Sequence, residues 1–231
     1  MMRPVERGEI PEENGVPRQF REYRDARIPL IERMGGYCSY CEIALPSGPH
    51  IEHVRPKDPN PELETTWSNF LLACSNCNST KRAKNVVLAD YFWPDRDNTM
   101  RPFEYDSERA PKHAGWLTPS QQDVANRTLR LTGLDREPGH PDLSDSDFRW
   151  LKRQEAWQIA RLERLKIERN GTPDQRDSAV QVAVGRGFFS VWMQVFYDDE
   201  DMRKRLIGWF QAATDCFGQR TDLIPRAGGL M

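Results

Sequence analysis

Four cysteines, one histidine, one carboxylate, two amides and a lysine fall in a short stretch of this chain. Cys38 and Cys41 form one C-x-x-C pair and Cys74 and Cys77 a second, with 32 residues between the pairs. Two such knuckles are the pattern of a zinc site, and four thiolates fill a tetrahedral zinc completely. No coordination position is left for water, so the expected metal is structural. It would pin the ends of a loop-rich segment that has little core of its own. Between the knuckles, Glu52 and His53 stand in Ile51-Glu52-His53-Val54, which reads as a short strand. A neutral imidazole can accept a proton near pH 7. The Glu52 carboxylate and the amide oxygen of Asn78, directly after Cys77, are hard donors suited to magnesium or manganese. Adjacent strand residues face opposite sides of a sheet, so a bulge or twist is expected if Glu52 and His53 serve one site. Asn69 lies in Trp67-Ser68-Asn69, and Lys81 follows Asn78 by one helical turn.

From about Gly36 to Asn85 these residues resemble the HNH nucleases, whose ββα-metal fold joins a β-hairpin to a helix. In that family an acidic residue and a histidine sit on the first strand. An asparagine sits in the connecting loop, and a His or Asn begins the metal-binding part of the helix. Glu52-His53, Asn69 and Asn78 occupy those places, and the four cysteines match the zinc-stapled branch. The resemblance implies hydrolysis of a phosphodiester, with His53 as general base and Glu52 and Asn78 holding a catalytic Mg2+ or Mn2+. It further implies that Asn69 orients the histidine or fastens the loop, and that Lys81 contacts phosphate. One departure stands out: Glu52 is found where many members carry Asp, and its extra methylene moves the carboxylate outward.

A broader likeness lies in YCSYCE, in IEHVRPK with its following Asp-Pro-Asn-Pro, in WSNFLLACSNCN and in VANRTLRLTGLDR. These segments are similar to the PtuB HNH subunits of Septu and retron antiphage systems, which implies an ABC-like or SMC-like ATPase partner. The expected substrate is nucleic acid, DNA ahead of RNA. A reading from a different class is a zinc-ribbon module that binds nucleic acid or protein without catalysis. The coexistence of Glu52, His53 and Asn78 argues against it.

The elements that must hold these residues come from a chain of 231 residues, 38% hydrophobic and 29% charged. Seven Trp and ten Phe supply enough apolar area for a core in one large or two small domains. Lys and Arg number 33 against 35 Asp and Glu, which excludes a uniformly basic nucleic-acid coat. Cys38 to Asn85 is neutral, with five basic and five acidic residues, so tight unaided DNA binding is not indicated. No apolar run reaches the roughly 20 residues of a membrane span, and a cytoplasmic location is expected.

The expected class is α+β: a ββα-metal core with a four-cysteine zinc site, and a mainly α-helical C-terminal subdomain. Residues 1–34 read as an extension and a helix, 35–116 as the nuclease domain and 117–231 as helices for partner docking. Thirteen of the 17 prolines fall at or before Pro119, so loops and short pieces should precede long helices. Residues 1–16 are expected to be loose. A helix from about Arg18 should bend near Pro29 and stop at Gly35-Gly36. Thr118 with Gln121 opens a helix that Gly133 stops, and Ser144 with Asp147 opens another that runs to Arg169. Leu151, Ile159, Leu162 and Leu165 read as the buried stripe of the latter, and its seven basic and three acidic residues as a solvated face. Residues 178–197 should be central. A last helix should bury Met202, Leu206, Trp209, Phe210 and Ala213, with Cys216 in the core. His50, His113 and His140 read as loop residues.

Overall fold

Proline-rich sequence yields short extended pieces up to residue 113, and long helices follow. The computed structural model describes residues 2–231. Strands β1 (Glu12–Glu13) and β2 (Val16–Pro17) form a small hairpin. A 3-10 turn over Tyr23–Ala26 then runs into helix α1 (Arg27–Met34). Pro29 is the third residue of α1, where its missing N–H has no intrahelical partner to lose, so the bend falls at the junction before it. Gly35, at φ +71°, ends the helix.

Strands β3 (His50–His53) and β4 (Phe70–Ala73) pair antiparallel, with Glu52 opposite Leu71 and His53 opposite Phe70. Helix α2 (Ser75–Lys81) follows at once, its N-cap being Cys74, whose sulfur accepts the Cys77 N–H. These three elements make the ββα unit. Strands β5 (Phe103–Glu104) and β6 (Lys112–His113) form a third hairpin. The helices are α3 (Pro119–Thr132), α4 (Arg149–Asn170), α5 (Pro173–Arg186), α6 (Phe189–Val195) and α7 (Glu200–Trp209). The class is α+β. No helix is long and apolar enough to cross a membrane among the described residues.

Two apolar cores form. The first gathers Leu30, Phe70, Leu72, Trp93 and Leu129, so α3 joins the hairpin β3–β4 and helices α1 and α2. The second gathers Ala156, Ala183, Phe189, Trp192 and Phe210 from α4 to α7 and the turn after it. Gly187 is where the helical half meets the first knuckle. The Phe188 N–H donates to the Glu42 carbonyl at 2.8 Å. Gly187 itself has φ +80°, and a Cβ there would lie 2.3 Å from that carbonyl oxygen, so only glycine fits.

The two helix starts differ instructively. α3 has the reciprocal Thr118–Gln121 box and a left-handed Gly133 at its end. Ser144 and Asp147 form no such box: α4 begins later, because the Asp147 carboxylate is taken by the Arg149 side chain at 2.7 and 2.6 Å. The expected stripe of α4 is also displaced. Leu162 and Leu165 are exposed, and the buried residues are Arg149, Arg153, Ala156, Trp157, Ala160, Glu163 and Ile167. Alanines let α4 approach α5 and α6 closely, which outweighs burying the larger leucines. Trp209 is likewise exposed, whereas Met202, Leu206, Phe210, Ala213 and Cys216 are buried.

The N-terminus is not loose. Met2, Arg3 and Val5 are buried, and the Arg3 guanidinium donates to the carbonyls of Met34 and Phe210, one beside each core. The Val5 N–H donates to the Pro94 carbonyl at 2.7 Å, and the Pro4 carbonyl accepts the Ala213 N–H at 2.9 Å. Backbone pairing with distant segments, invisible in a polar composition, holds it.

Candidate active site

The two knuckles converge. All four sulfurs are buried and lie within 4.8 Å of one another, with Cys41 and Cys74 sulfurs 3.6 Å apart. A tetrahedral zinc with Zn–S of about 2.3 Å places its sulfurs about 3.8 Å apart. In each knuckle the second cysteine's N–H donates to the first one's sulfur, at 3.5 Å for Cys41 to Cys38 and 3.4 Å for Cys77 to Cys74. No disulfide joins them. The soft donors and their convergence fit a structural zinc.

Four thiolates around a divalent zinc leave two negative charges. Two buried arginines on the first turns of α4 answer them. Arg149 donates to the Cys77 sulfur at 2.9 Å, to the carbonyls of Thr132 and Gly133, and to Asp147. Burial favours losing its proton, but Asp147 and the Cys77 and Cys41 sulfurs outweigh this and hold the proton more tightly than usual. Burial lowers the pKa of Arg153 to about 10, with Cys41 pulling the other way, so it too is charged at neutral pH. These arginines belong to the run read as a solvated face. No local signal sets them apart from their exposed neighbours.

At the other end of α2, Glu52, His53 and Asn78 line one pocket of about 270 Å³. β3 ends at His53 and the chain then turns, so neighbours on a strand reach one pocket without a bulge. His53 packs edge-on to Tyr23 and Phe70, with ring centroids 5.1 and 5.2 Å away. Its Nε2 lies 2.9 Å from the Glu64 carbonyl. A carbonyl only accepts, so Nε2 carries the proton and Nδ1 keeps its lone pair. Burial lowers the His53 pKa, the Glu64 carbonyl opposes, and the charges of Lys57 and Lys81 lower it further. The imidazole is therefore neutral at pH 7.

Glu52 is buried, and burial raises its pKa to about 7 against the pull of Lys81. Lys81, expected to contact phosphate, does not face solvent at all. Its ammonium lies 2.7 Å from Glu52 Oε1 and donates to the His53 carbonyl at 2.7 Å. Apart from the Lys81 ion pair the Glu52 carboxylate has no partner among the described residues. The carboxylate and the half-buried Asn78 amide form a hard donor set on one pocket wall, which fits a divalent cation. Asn69 lies outside the pocket wall. It accepts the Arg55 N–H at 2.8 Å and donates to the Arg55 carbonyl at 2.9 Å, so its bonds fasten the loop after β3 and none reaches the imidazole.

Lys57, Asp58 and Arg82 also line the pocket. Lys57 is paired with Glu64 at 2.8 Å. Arg82 follows α2 at φ +49°, and its Nε donates to the Ser79 carbonyl at 2.8 Å, which leaves its terminal nitrogens uncommitted. The Lys81-Arg82-Ala83-Lys84 run signalled a cation here, but adjacent Lys81 and Arg82 are told apart only by burial.

Residues 38–84 match the HNH endonuclease family model. Over 85 residues the chain is 36% identical to Septu protein PtuB of Bacillus thuringiensis, an alignment covering 34% of this chain. The match spans about a third of that relative's length, 33%.

Proposed function

We propose that this chain, which carries an HNH endonuclease domain at residues 38–84, is a metal-dependent endonuclease cutting nucleic-acid phosphodiesters. In this reading it is the effector nuclease of an antiphage defence system and works with an ABC-like or SMC-like ATPase, docked through the helices of residues 117–231. The observation that carries the catalytic part is one pocket lined by a neutral His53 with an uncommitted Nδ1, the Glu52 carboxylate and the Asn78 amide. The likeness to a Septu PtuB protein supports the defence role.

His53 Nδ1 takes the proton of the attacking water, while the Glu64 carbonyl and the flanking rings of Tyr23 and Phe70 keep the imidazole aimed. Glu52 and Asn78 would hold Mg2+ or Mn2+, which when bound would supply Lewis-acid stabilisation to the phosphate and the leaving oxygen. Lys81 positions Glu52 and favours its ionised form. Arg82 replaces Lys81 as the phosphate contact. Asn69 acts through the loop it closes, and zinc occupies the four-cysteine cluster. DNA is the favoured substrate, with RNA as the second choice.

Plasmid cleavage by wild-type and His53→Ala protein, with manganese and with EDTA, tests the reading. The variant should lose about 10²–10⁴-fold in rate while keeping its fold and zinc. Cleavage at the wild-type rate by His53→Ala would overturn the assignment.

A further inference from the structure

Beside the catalytic pocket lies a second one of about 380 Å³, which shares Ser79 and Arg82 with it and lies between α2 and the loop leading into α4. Three cations, Arg82, Lys84 and Arg136, line it together with the hydroxyls of Ser79, Thr80 and Ser144. The acid on its wall, Asp147, already has both carboxylate oxygens on Arg149. None of the three cations forms an ion pair among the described residues. Lys84 feels the crowding: partial burial lowers its pKa, and the charges of Arg136 and Arg82 lower it further, against the pull of Asp135 and Asp142.

Like charges gathered around one cavity are costly unless an anion joins them. A guanidinium fork, an ammonium and hydroxyl donors together match the oxygens of a phosphate. The wall shared with the cleavage pocket indicates which phosphate. The two pockets meet at Ser79 and Arg82, so a strand placed with its scissile phosphodiester against His53 would continue past Arg82 into the second pocket. The neutral charge balance of the zinc segment hides this patch, because Arg136 comes from beyond α3.

We propose that the pocket of Arg82, Lys84 and Arg136 binds a backbone phosphate flanking the scissile one, and so fixes the direction in which the nucleic-acid strand crosses α2. The proposal rests on the nuclease reading of the neighbouring pocket and deepens it.

The test is binding of a fluorescein-labelled duplex DNA, followed by anisotropy in EDTA over a range of salt, for wild type and Lys84→Gln/Arg136→Gln. Loss of the cations that hold this one phosphate should weaken binding about tenfold at low salt and make the slope of log affinity against log salt shallower by about 1. Lys84→Gln alone should move both in the same direction by up to that amount and serves if the double variant is poorly folded. An unchanged Kd and slope in these variants overturns the proposal. So does wild-type protein that binds neither this duplex nor a labelled single strand at low salt. His53→Ala measured alongside separates the two claims. Lost cleavage with a wild-type Kd upholds the nuclease reading whatever the glutamine variants do. Full cleavage sinks that reading alone.

Discussion

The two ends of α2 solve opposite electrostatic problems. At Cys74 and Cys77 the helix closes a cluster in which every sulfur is buried, and two arginines from α4 face the charge. At Asn78 and Lys81 it borders an open pocket lined by His53, whose Nδ1 is uncommitted, by the Glu52 carboxylate and by the Asn78 amide. Both ends bury cations against anions. The difference is whether any valence is left over. Where none is left, the site can only stabilise, as a filled zinc sphere does. Where some is left beside an open pocket, binding and proton transfer become possible. Seven residues of helix thus join the four-cysteine cluster to the pocket that the nuclease reading assigns to catalysis.

The sharpest break of that comparison is removal of the metal. Chelation, or Cys77→Ser, should unfold the knuckles and α2, at a cost of up to about 10 kcal/mol, the order seen for structural zinc. Metal analysis should find about one zinc per chain. Zinc-free protein with an unchanged Tm would show that the closed end is not the staple. Next comes Arg149→Ala, which strands Asp147 and the Cys77 sulfur without their buried partner. Urea unfolding in excess zinc should show a loss of about 3–5 kcal/mol, and a loss below 1 kcal/mol would remove Arg149 from the account.

The smallest effect is at the open end. The Glu52 pKa in the fold, about 7, lies above its ordinary value of 4.5 because of burial. The raised value favours the protonated side chain in the folded state. The stability this contributes is therefore complete below pH 4.5 and is lost as pH rises through 7. Activity runs the other way, because a metal ligand must be ionised. Cleavage should rise about tenfold between pH 6 and pH 8, and higher magnesium should move that limb to lower pH. A limb that ignores magnesium would assign the titration to another group.

Part of the geometry was legible because its signals are local. The two C-x-x-C knuckles converge and Glu52, His53 and Asn78 share one pocket, as their spacing suggested, and the capping of α3 is written in three positions, Thr118, Gln121 and Gly133. Lys81 and Arg82 mark the boundary of that legibility. They are adjacent and similarly charged, yet one is sealed against Glu52 and the other faces two pockets.

Residue type and short spacing therefore account for the two cysteine knuckles and for the long helices that follow Pro119, since each is written in a few neighbouring positions. Tertiary structure decided which charges are buried, which face of α4 turns inward and where residues 2–5 lie. The physical reason is that the cost of burying a charge depends on the partner that meets it. Arg149 meets Cys77 across 72 positions of chain, and Arg3 meets Phe210 across 207, separations at which no local pattern carries information.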